Sequence, residues 1–278
     1  MENKNWKLFL FVMHKIGRFY HVFLTYLKDA LEYRSKALVY FMYPLVSTTV
    51  MLIFWYAASS THATGGYNFS FFLSYYLWMM LAGSALMCYA EDAIARYGIY
   101  RGDLSAQLLR PFSWMTHVLF AEVPWRVMGG VYSVLIMVGV SIFLFPIQHN
   151  TTVVGWTLAI IAAALGFTIS FLYKFILGSS AFWLTNTRGL TSLSDIIIML
   201  FAGQLMPIRL MPPLFRSIAL SLPFSSMVYI PVAALQGTLG TIELLRAIGI
   251  QLLWLCLLIP LQQFIWRRGL RVYTGVGQ

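Results

Sequence analysis

Residues 70–111 read SFFLSYYLWMMLAGSALMCYA followed by EDAIARYGIYRGDLSAQLLRP. Residues 70–90 carry no charged side chain, and as a helix they rise about 31 Å, enough to cross the hydrocarbon core of a bilayer. Residues 91–111 hold three of the chain's nine acidic residues and three of its arginines. This abrupt change predicts a membrane-spanning helix that ends in a water-exposed, charged loop.

The composition of the whole chain excludes an ordinary soluble domain. Hydrophobic residues make up 60% of the 278 residues and charged residues 10%, against roughly 25% charged residues in soluble proteins. The formal net charge is +10, which in a soluble protein suggests nucleic-acid binding. In a membrane protein, excess Lys and Arg hold cytoplasmic loops at the anionic membrane face, so we predict no nucleic-acid partner.

The apolar pattern predicts an all-α membrane protein that forms a single transmembrane domain over residues 1–278. With both termini in the cytoplasm, fourteen of the nineteen Lys and Arg residues fall in cytoplasmic segments, as the positive-inside rule requires. We therefore predict that both termini are cytoplasmic. The six predicted transmembrane helices cover residues 38–58, 70–90, 117–145, 153–177, 191–206 and 247–266.

Residues 1–36 are predicted to form an interfacial helix. Basic side chains follow one helical stripe of this segment, and apolar side chains follow the opposite stripe. Such a helix lies in the inner membrane interface with its apolar side on the lipid. It either only anchors the chain to the membrane surface or also contacts a cytoplasmic partner.

Residues 207–235 contain five of the chain's ten prolines and remain apolar. Proline interrupts helices, and a broken helix at membrane depth is tolerated only where protein buries it or water reaches it. We predict two short re-entrant helices that dip back from the outer face, with residues 215–222 amphipathic. The alternative is an ordinary outer loop that lies on the surface.

Motifs of nucleotide-binding and catalytic sites are missing from the sequence. No G-x-x-x-x-G-K-[ST] is found, so the chain has no P-loop for ATP, and neither H-E-x-x-H nor G-x-S-x-G occurs. The five histidines are scattered along the chain. We predict no catalytic residue and no metal ligand, and therefore no enzyme.

A few polar residues lie near or within the predicted spans. Glu122 and Arg126 are four residues apart and are predicted to form an ion pair at the inner face. Lys174 either snorkels inward from the fourth span or contacts the substrate. Lys174 and Gln204 are the candidate pathway residues, and Asp195 is expected near the inner end of the fifth span.

Three stretches of sequence carry a family resemblance. They are RYGIYRGDLSAQLLRPFSW at residues 96–114, AFWLTNTRGL at residues 181–190, and FAGQLMPIRLMPPLF at residues 201–215 with LPFSSMVYIPVAALQG after it. Together with the order of the predicted segments, they resemble the type-2 (ABC-2) permeases of ABC exporters, across residues 30–271.

The resemblance implies an assembly in the cytoplasmic membrane. Two permeases pair, either as a homodimer or with a similar second permease, and ABC ATPase subunits dock from the cytoplasm. The ATPase binds ATP and Mg²⁺, and this chain binds no cofactor. The resemblance also implies a coupling helix within residues 91–116 and a path between the first, second and fifth spans.

The residues of the coupling loop fit that role. Asp103 follows Gly102 and can begin a short helix, which Pro111 ends. Leucines are expected to form an apolar knob for an ATPase groove, with arginines around it; the alternative is a merely solvated loop. The residues expected to couple to the ATPase are Arg96, Arg101, Gly102, Asp103, Leu104, Leu108, Leu109 and Arg110.

The predicted function is therefore that of a permease subunit driven by a separate ATPase. Its expected substrate is amphipathic or hydrophobic: a drug, lipid, peptide or natural product. Three alternatives stay open at this point: export of a polysaccharide or teichoic acid, secondary transport driven by an ion gradient, and a scaffold or sensor that transports nothing.

Overall fold

The computed structural model describes residues 23–28, 32, 34–60, 66–110, 113–143 and 146–275. Within these ranges the chain is helical apart from turns and short connections, and it contains no strand. Most of the predicted interfacial helix, residues 1–36, lies outside the described residues. Residues 23–28 are helical, and the Tyr26 hydroxyl lies 2.9 Å from Nδ1 of His117.

From Arg34 onward eleven helices are described, and five of them are long. In chain order they are α1 (Arg34–Ser60), α2 (Phe69–Leu86), α3 (Ala90–Asp92, continued by a π-helix over Ala93–Tyr100), α4 (Asp103–Leu108), α5 (Trp114–Phe143), α6 (Val153–Ser179, continued by a 3₁₀ turn over Ser180–Phe182), α7 (Arg188–Phe201), α8 (Pro213–Ser221, after a 3₁₀ turn over Ile208–Leu210), α9 (Pro223–Met227), α10 (Tyr229–Gln236) and α11 (Thr241–Val272).

Five helical segments among the described residues are long and apolar enough to cross a membrane: 42–59, 69–100, 114–143, 153–182 and 241–272. The fifth predicted span, residues 191–206, is not among them. In its place α7 has 14 residues, which rise about 21 Å, and it ends before Gly203, whose φ is +79°. A glycine in this left-handed conformation commonly follows the end of a helix. The six-span arrangement therefore stays a prediction.

Helix α2 is the centre of the bundle. Its aromatic side chains Phe72, Tyr75 and Tyr76 are buried, and the ring of Trp55 from α1 stacks on Phe72 with centroids 4.2 Å apart. By contrast, α1, α5 and α11 bury only a small share of their residues, and each has large apolar side chains exposed. Exposed apolar helix faces are what lipid or a second membrane subunit covers.

The proline-rich segment forms three short helices, α8, α9 and α10, instead of the two predicted. Pro223 begins α9 at a position where a helix needs no N–H donor. Pro231 has no N–H for the carbonyl of Met227, and the chain leaves helical geometry at Val228. Helices α9 and α10 are almost entirely buried, so this broken backbone lies inside the protein.

Buried side chains bond the carbonyl groups that the broken helices leave open. Gln251 on α11 donates from Nε2 to the Ser226 carbonyl at 2.8 Å and to the Ala162 carbonyl at 2.9 Å. A Cβ added at Gly166 on α6 would lie 2.7 Å from the Met227 carbonyl oxygen, so this glycine permits the close approach. The Gln251 bond thus satisfies the Ser226 carbonyl of the broken backbone inside the protein.

Candidate functional site

The charged loop follows the end of α2 and consists of two helical segments joined at Gly102. After Leu86 three residues are not helical, and then α3 continues as a π-helix, with the Arg101 N–H bonded to the Arg96 carbonyl at 3.1 Å. π-helical segments are rare in proteins, and those that occur are often found at functional sites. Gly102 has φ +81° and turns the chain into α4.

Helix α4 has one buried side and one exposed end. Leu104 has no exposed surface and belongs to a cluster with Ile94 and Trp114. Leu108 is 48% exposed and Leu109 is 90% exposed. Leu104 is therefore not part of an exposed knob as expected, because it fixes α4 to the rest of the loop. The exposed apolar surface consists of Leu108 and Leu109, the leucine tip.

The loop that carries the leucine tip also carries exposed charges. Arg96 and Asp92 form an ion pair with Nη2 and Oδ2 3.9 Å apart, and the Arg101 guanidinium lies 4.7 Å from the centre of the Tyr97 ring. Surface ion pairs of this kind contribute little to folding stability. Their charge remains accessible to a partner. Five charged side chains of the loop are exposed: Asp92, Arg96, Arg101, Asp103 and Arg110.

One acidic residue of the loop is buried and joins two other charges. Lys174 on α6 has no exposed surface, and its Nζ donates to Glu91 Oε1 at 2.6 Å and to Asp195 Oδ1 at 2.8 Å. Glu91 is buried, whereas the Asp195 side chain is 54% exposed. This Glu91–Lys174–Asp195 triad connects α3, α6 and α7. With all three groups ionised its net charge is −1.

The predicted pair of Glu122 and Arg126 is present on α5, with Oε2 and Nε 3.4 Å apart. It also contacts the break between α2 and α3. Arg126 donates from Nη1 to the Met87 carbonyl at 2.5 Å, and the Tyr89 N–H donates to Glu122 at 3.3 Å. The pair thus bonds backbone groups that no helix uses there.

A cavity of about 600 Å³ lies between α1, α2 and α7. Its lining is mostly apolar, and Asp195 is the one charged residue among the described residues that line it. Gln204 lies on the lining as well. Five methionines contribute to the walls: Met51, Met79, Met80, Met87 and Met199.

Tyrosine hydroxyls hold the three walls together at the Gln204 end of the cavity. Tyr76 on α2 accepts a hydrogen bond from Trp55 Nε1 on α1 at 2.7 Å and donates to the Leu205 carbonyl, just after α7, at 2.9 Å. Tyr75 donates to the Gly203 carbonyl at 2.8 Å. The triad holds the opposite, Asp195 end.

A family model described as ABC-2 family transporter protein matches residues 45–277, which is 233 of the 278 residues. The chain belongs to the ABC-2 transporter family. It is therefore a membrane permease of ABC transport, and permeases of this family generally work with an ABC ATPase. A search of curated proteins gave no match.

The two candidate pathway residues of the permease lie in different surroundings. Gln204 lines the cavity, whereas Lys174 is fully buried behind Asp195 and does not line it. Lys174 neither snorkels to the interface nor faces the cavity, because two carboxylates bind it inside the protein. Asp195 lies in the middle of α7, since this helix begins at Arg188, and not at the end where we expected it.

Two features of the permease were not predicted: the triad and the methionine lining. In the sequence, Lys174 is a rare charge within an apolar span and Asp195 is a charge near the end of one. Their partnership with Glu91 depends on how three separate helices pack, since 83 residues separate Glu91 from Lys174. A buried cation in an apolar span was the one available signal, because such a charge requires a partner.

Gly178 on α6 permits the close approach of the loop, and we expect Gly178→Ala to lower the free energy of unfolding by about 1–3 kcal/mol. A Cβ there would lie 2.8 Å from the Ile94 Cβ and 2.9 Å from the Glu91 carbonyl oxygen, so the loop must move. Chemical unfolding in micelles measures the change. Gly249→Ala is the control, because its Cβ would meet no atom within 4 Å. Equal effects of the two changes would contradict the close approach.

Proposed function

We propose that this chain is the permease subunit of an ATP-driven ABC exporter, which moves amphipathic or hydrophobic molecules out across the cytoplasmic membrane. In this proposal a separate ATPase docks on the leucine tip and the exposed charges of the same loop. That subunit binds ATP and Mg²⁺ and supplies the energy. Both termini of the permease are then cytoplasmic, in agreement with the distribution of Lys and Arg.

The observation that carries the proposal is the continuous connection from the leucine tip to the cavity. Leu104 fixes α4 to the cluster around Ile94 on the α3 segment. At the start of α3, Glu91 binds Lys174, which in turn binds Asp195 on the cavity wall. A displacement of the tip by a closing ATPase therefore reaches the cavity through packed and ion-paired groups.

The cavity supports a hydrophobic or amphipathic substrate over a sugar polymer. Ligand sites for apolar molecules are lined by hydrophobic and aromatic side chains with a few polar groups that orient the ligand. The cavity has this character, with methionines and tyrosines on its walls and Asp195 and Gln204 as polar groups. A polysaccharide needs many hydroxyl-bonding groups along its path.

A second permease is expected to pair through the side that α1 presents. The described part of α1 is mostly exposed and apolar, and the same helix forms one wall of the cavity. A second copy, or a similar permease, would bury this surface and complete the path. Exposed apolar surface next to a cavity is what such a two-subunit arrangement leaves open in one chain.

The triad also provides the one observation that favours an alternative function, secondary transport driven by an ion gradient. Buried ionisable groups form proton pathways in such transporters. Lys174 neutralises one of the two carboxylates, however, and the triad includes the loop on which a partner ATPase would dock. An ATP-driven mechanism therefore agrees better with the position of the triad.

Transport into inside-out membrane vesicles tests the proposal. We expect a fluorescent amphiphile to accumulate only when ATP and the co-purifying ATPase are present, and an uncoupler of the proton gradient should not stop it. The isolated permease should hydrolyse no ATP. Accumulation that survives ATP depletion and ends on addition of the uncoupler would contradict the proposal and favour the ion-gradient mechanism.

A further inference from the structure

The described lining of the cavity carries a negative charge that no positive charge on the lining balances. Asp195 is the one charged group on the described lining, and 54% of its side chain stays exposed while it bonds Lys174. The positive charge of the triad is not accessible from the cavity, because Lys174 has no exposed surface. Among the described residues of the lining, a molecule in the cavity therefore meets one carboxylate and no cation.

The neighbouring pair does not change this balance. Arg126 is buried and paired with Glu122, so the pair adds no net charge and Arg126 is not on the cavity lining. With every group ionised, the triad and the pair together hold three carboxylates and two cations, a net charge of −1. Because the surrounding walls are apolar, the field of this charge is screened less than it is in water.

We infer that the cavity binds lipophilic cations, with Asp195 as their counter-ion. The ligand class consists of amphipathic molecules whose positive charge is a protonated amine, a quaternary nitrogen or a phosphonium centre. This inference rests on the proposed transport function and specifies its substrate. It follows from the position of one half-exposed carboxylate on the mostly apolar lining of a cavity of about 600 Å³.

The rest of the lining suits such a ligand. The thioether side chains of the methionines are flexible and polarisable, so they fit apolar groups of different shapes. Tyr43 is 75% exposed and lines the cavity, so its ring is available to a cation. The ring of Tyr89 already contacts two cations of the protein, with Lys174 5.6 Å and Arg126 5.1 Å from its centre. The carboxylate of Asp195 is therefore the group that attracts a bound cation most strongly.

Binding of tetraphenylphosphonium to the full-length permease in phosphatidylcholine nanodiscs tests the inference. Equilibrium dialysis gives the bound amount, and empty nanodiscs give the part that partitions into lipid. We expect saturable binding by the wild type and at least tenfold weaker binding by Asp195→Asn. Tenfold corresponds to about 1.4 kcal/mol. The asparagine retains an oxygen for Lys174, so the change removes the charge and keeps the hydrogen bond.

Two matched variants separate the charge from other effects. Asp195→Glu keeps the carboxylate and is expected to bind within about twofold of the wild type. Glu243→Gln removes a different carboxylate, one that caps α11 outside the cavity and whose bond to the Gly240 N–H a glutamine can also accept. It should bind as the wild type does. Gel filtration checks that each variant is folded.

Two results would overturn the inference: no saturable binding by the wild type, or binding by Asp195→Asn within twofold of the wild type. If Asp195→Asn does not fold, the wild type is compared with tetraphenylphosphonium and the anion tetraphenylborate, and saturable binding of the anion alone overturns the inference. No ATPase enters these measurements. ATP-dependent transport of a neutral amphiphile without cation binding would therefore leave the proposed function intact and remove only the cation preference.

Discussion

Replacing Lys174 with methionine is expected to lower the free energy of unfolding of the permease by about 3–5 kcal/mol. Lys174 is fully buried and is bonded to Glu91 and Asp195 at 2.6 and 2.8 Å. Methionine fills a similar volume but leaves Glu91 buried beside an apolar side chain. An unpaired carboxylate in such surroundings is costly. Unfolding in mixed micelles by sodium dodecyl sulfate, followed by tryptophan fluorescence, measures the loss.

Two comparisons show whether the loss arises from the buried charge. Arg96→Met breaks an exposed ion pair with a separation of 3.9 Å and should cost less than about 1 kcal/mol. The double change Glu91→Gln with Lys174→Met removes both charges and should recover most of the loss. If Lys174→Met costs no more than Arg96→Met, the triad does not stabilise the fold as we describe.

Replacing Leu109 with aspartate is expected to weaken binding of the partner ATPase at least tenfold and to end ATP-dependent transport. Leu109 is 90% exposed, so the permease itself should keep its stability. A carboxylate in an apolar docking groove has no partner and must lose its water. Pull-down of the ATPase with tagged permease, together with unfolding of the permease, measures both quantities. The same change at Leu108 should have the same direction.

The controls use leucines in different surroundings. Leu214→Asp introduces the same charge on α8, at a leucine that is 68% exposed, and should leave ATPase binding unchanged. Leu104→Ala removes a fully buried side chain and should cost about 2–5 kcal/mol of stability, because it leaves a cavity in the loop. ATPase binding that persists in Leu109→Asp would show that the leucine tip is not the docking surface.

The part of the fold that follows from local sequence could be predicted. The apolar run before Glu91 gave the position of the central helix, and the Gly102–Asp103 step gave the start of α4. The length of α7 was overestimated, because the apolar run continues to Met206 while the backbone turns at Gly203. A glycine inside an apolar run can end a helix early, because it adopts the left-handed conformation at little cost.

The candidate site was less accessible from the sequence, because its members come from different helices. Leu104 and Leu108 are four residues apart on one short helix, yet only Leu104 is fully buried, since Ile94 and Trp114 cover it. The partners of Lys174 likewise depend on helix packing. Sequence spacing describes one helix at a time, so it does not show which side chains of separate helices meet.

The attachments of α7 determine how the cavity wall can move. Beyond its last residue, the Gly203 and Leu205 carbonyls are bonded to tyrosines of α2, while its middle is attached through Asp195 to Lys174. About 9 Å of helix separates Asp195 from Phe201. A rod held at one end rotates about that end, so α7 should swing when its contacts with α6 separate, the Asp195–Lys174 ion pair and the Ser194–Tyr173 hydrogen bond. The space it opens is then a wedge, narrow at Gln204 and widest on the side of the charged loop.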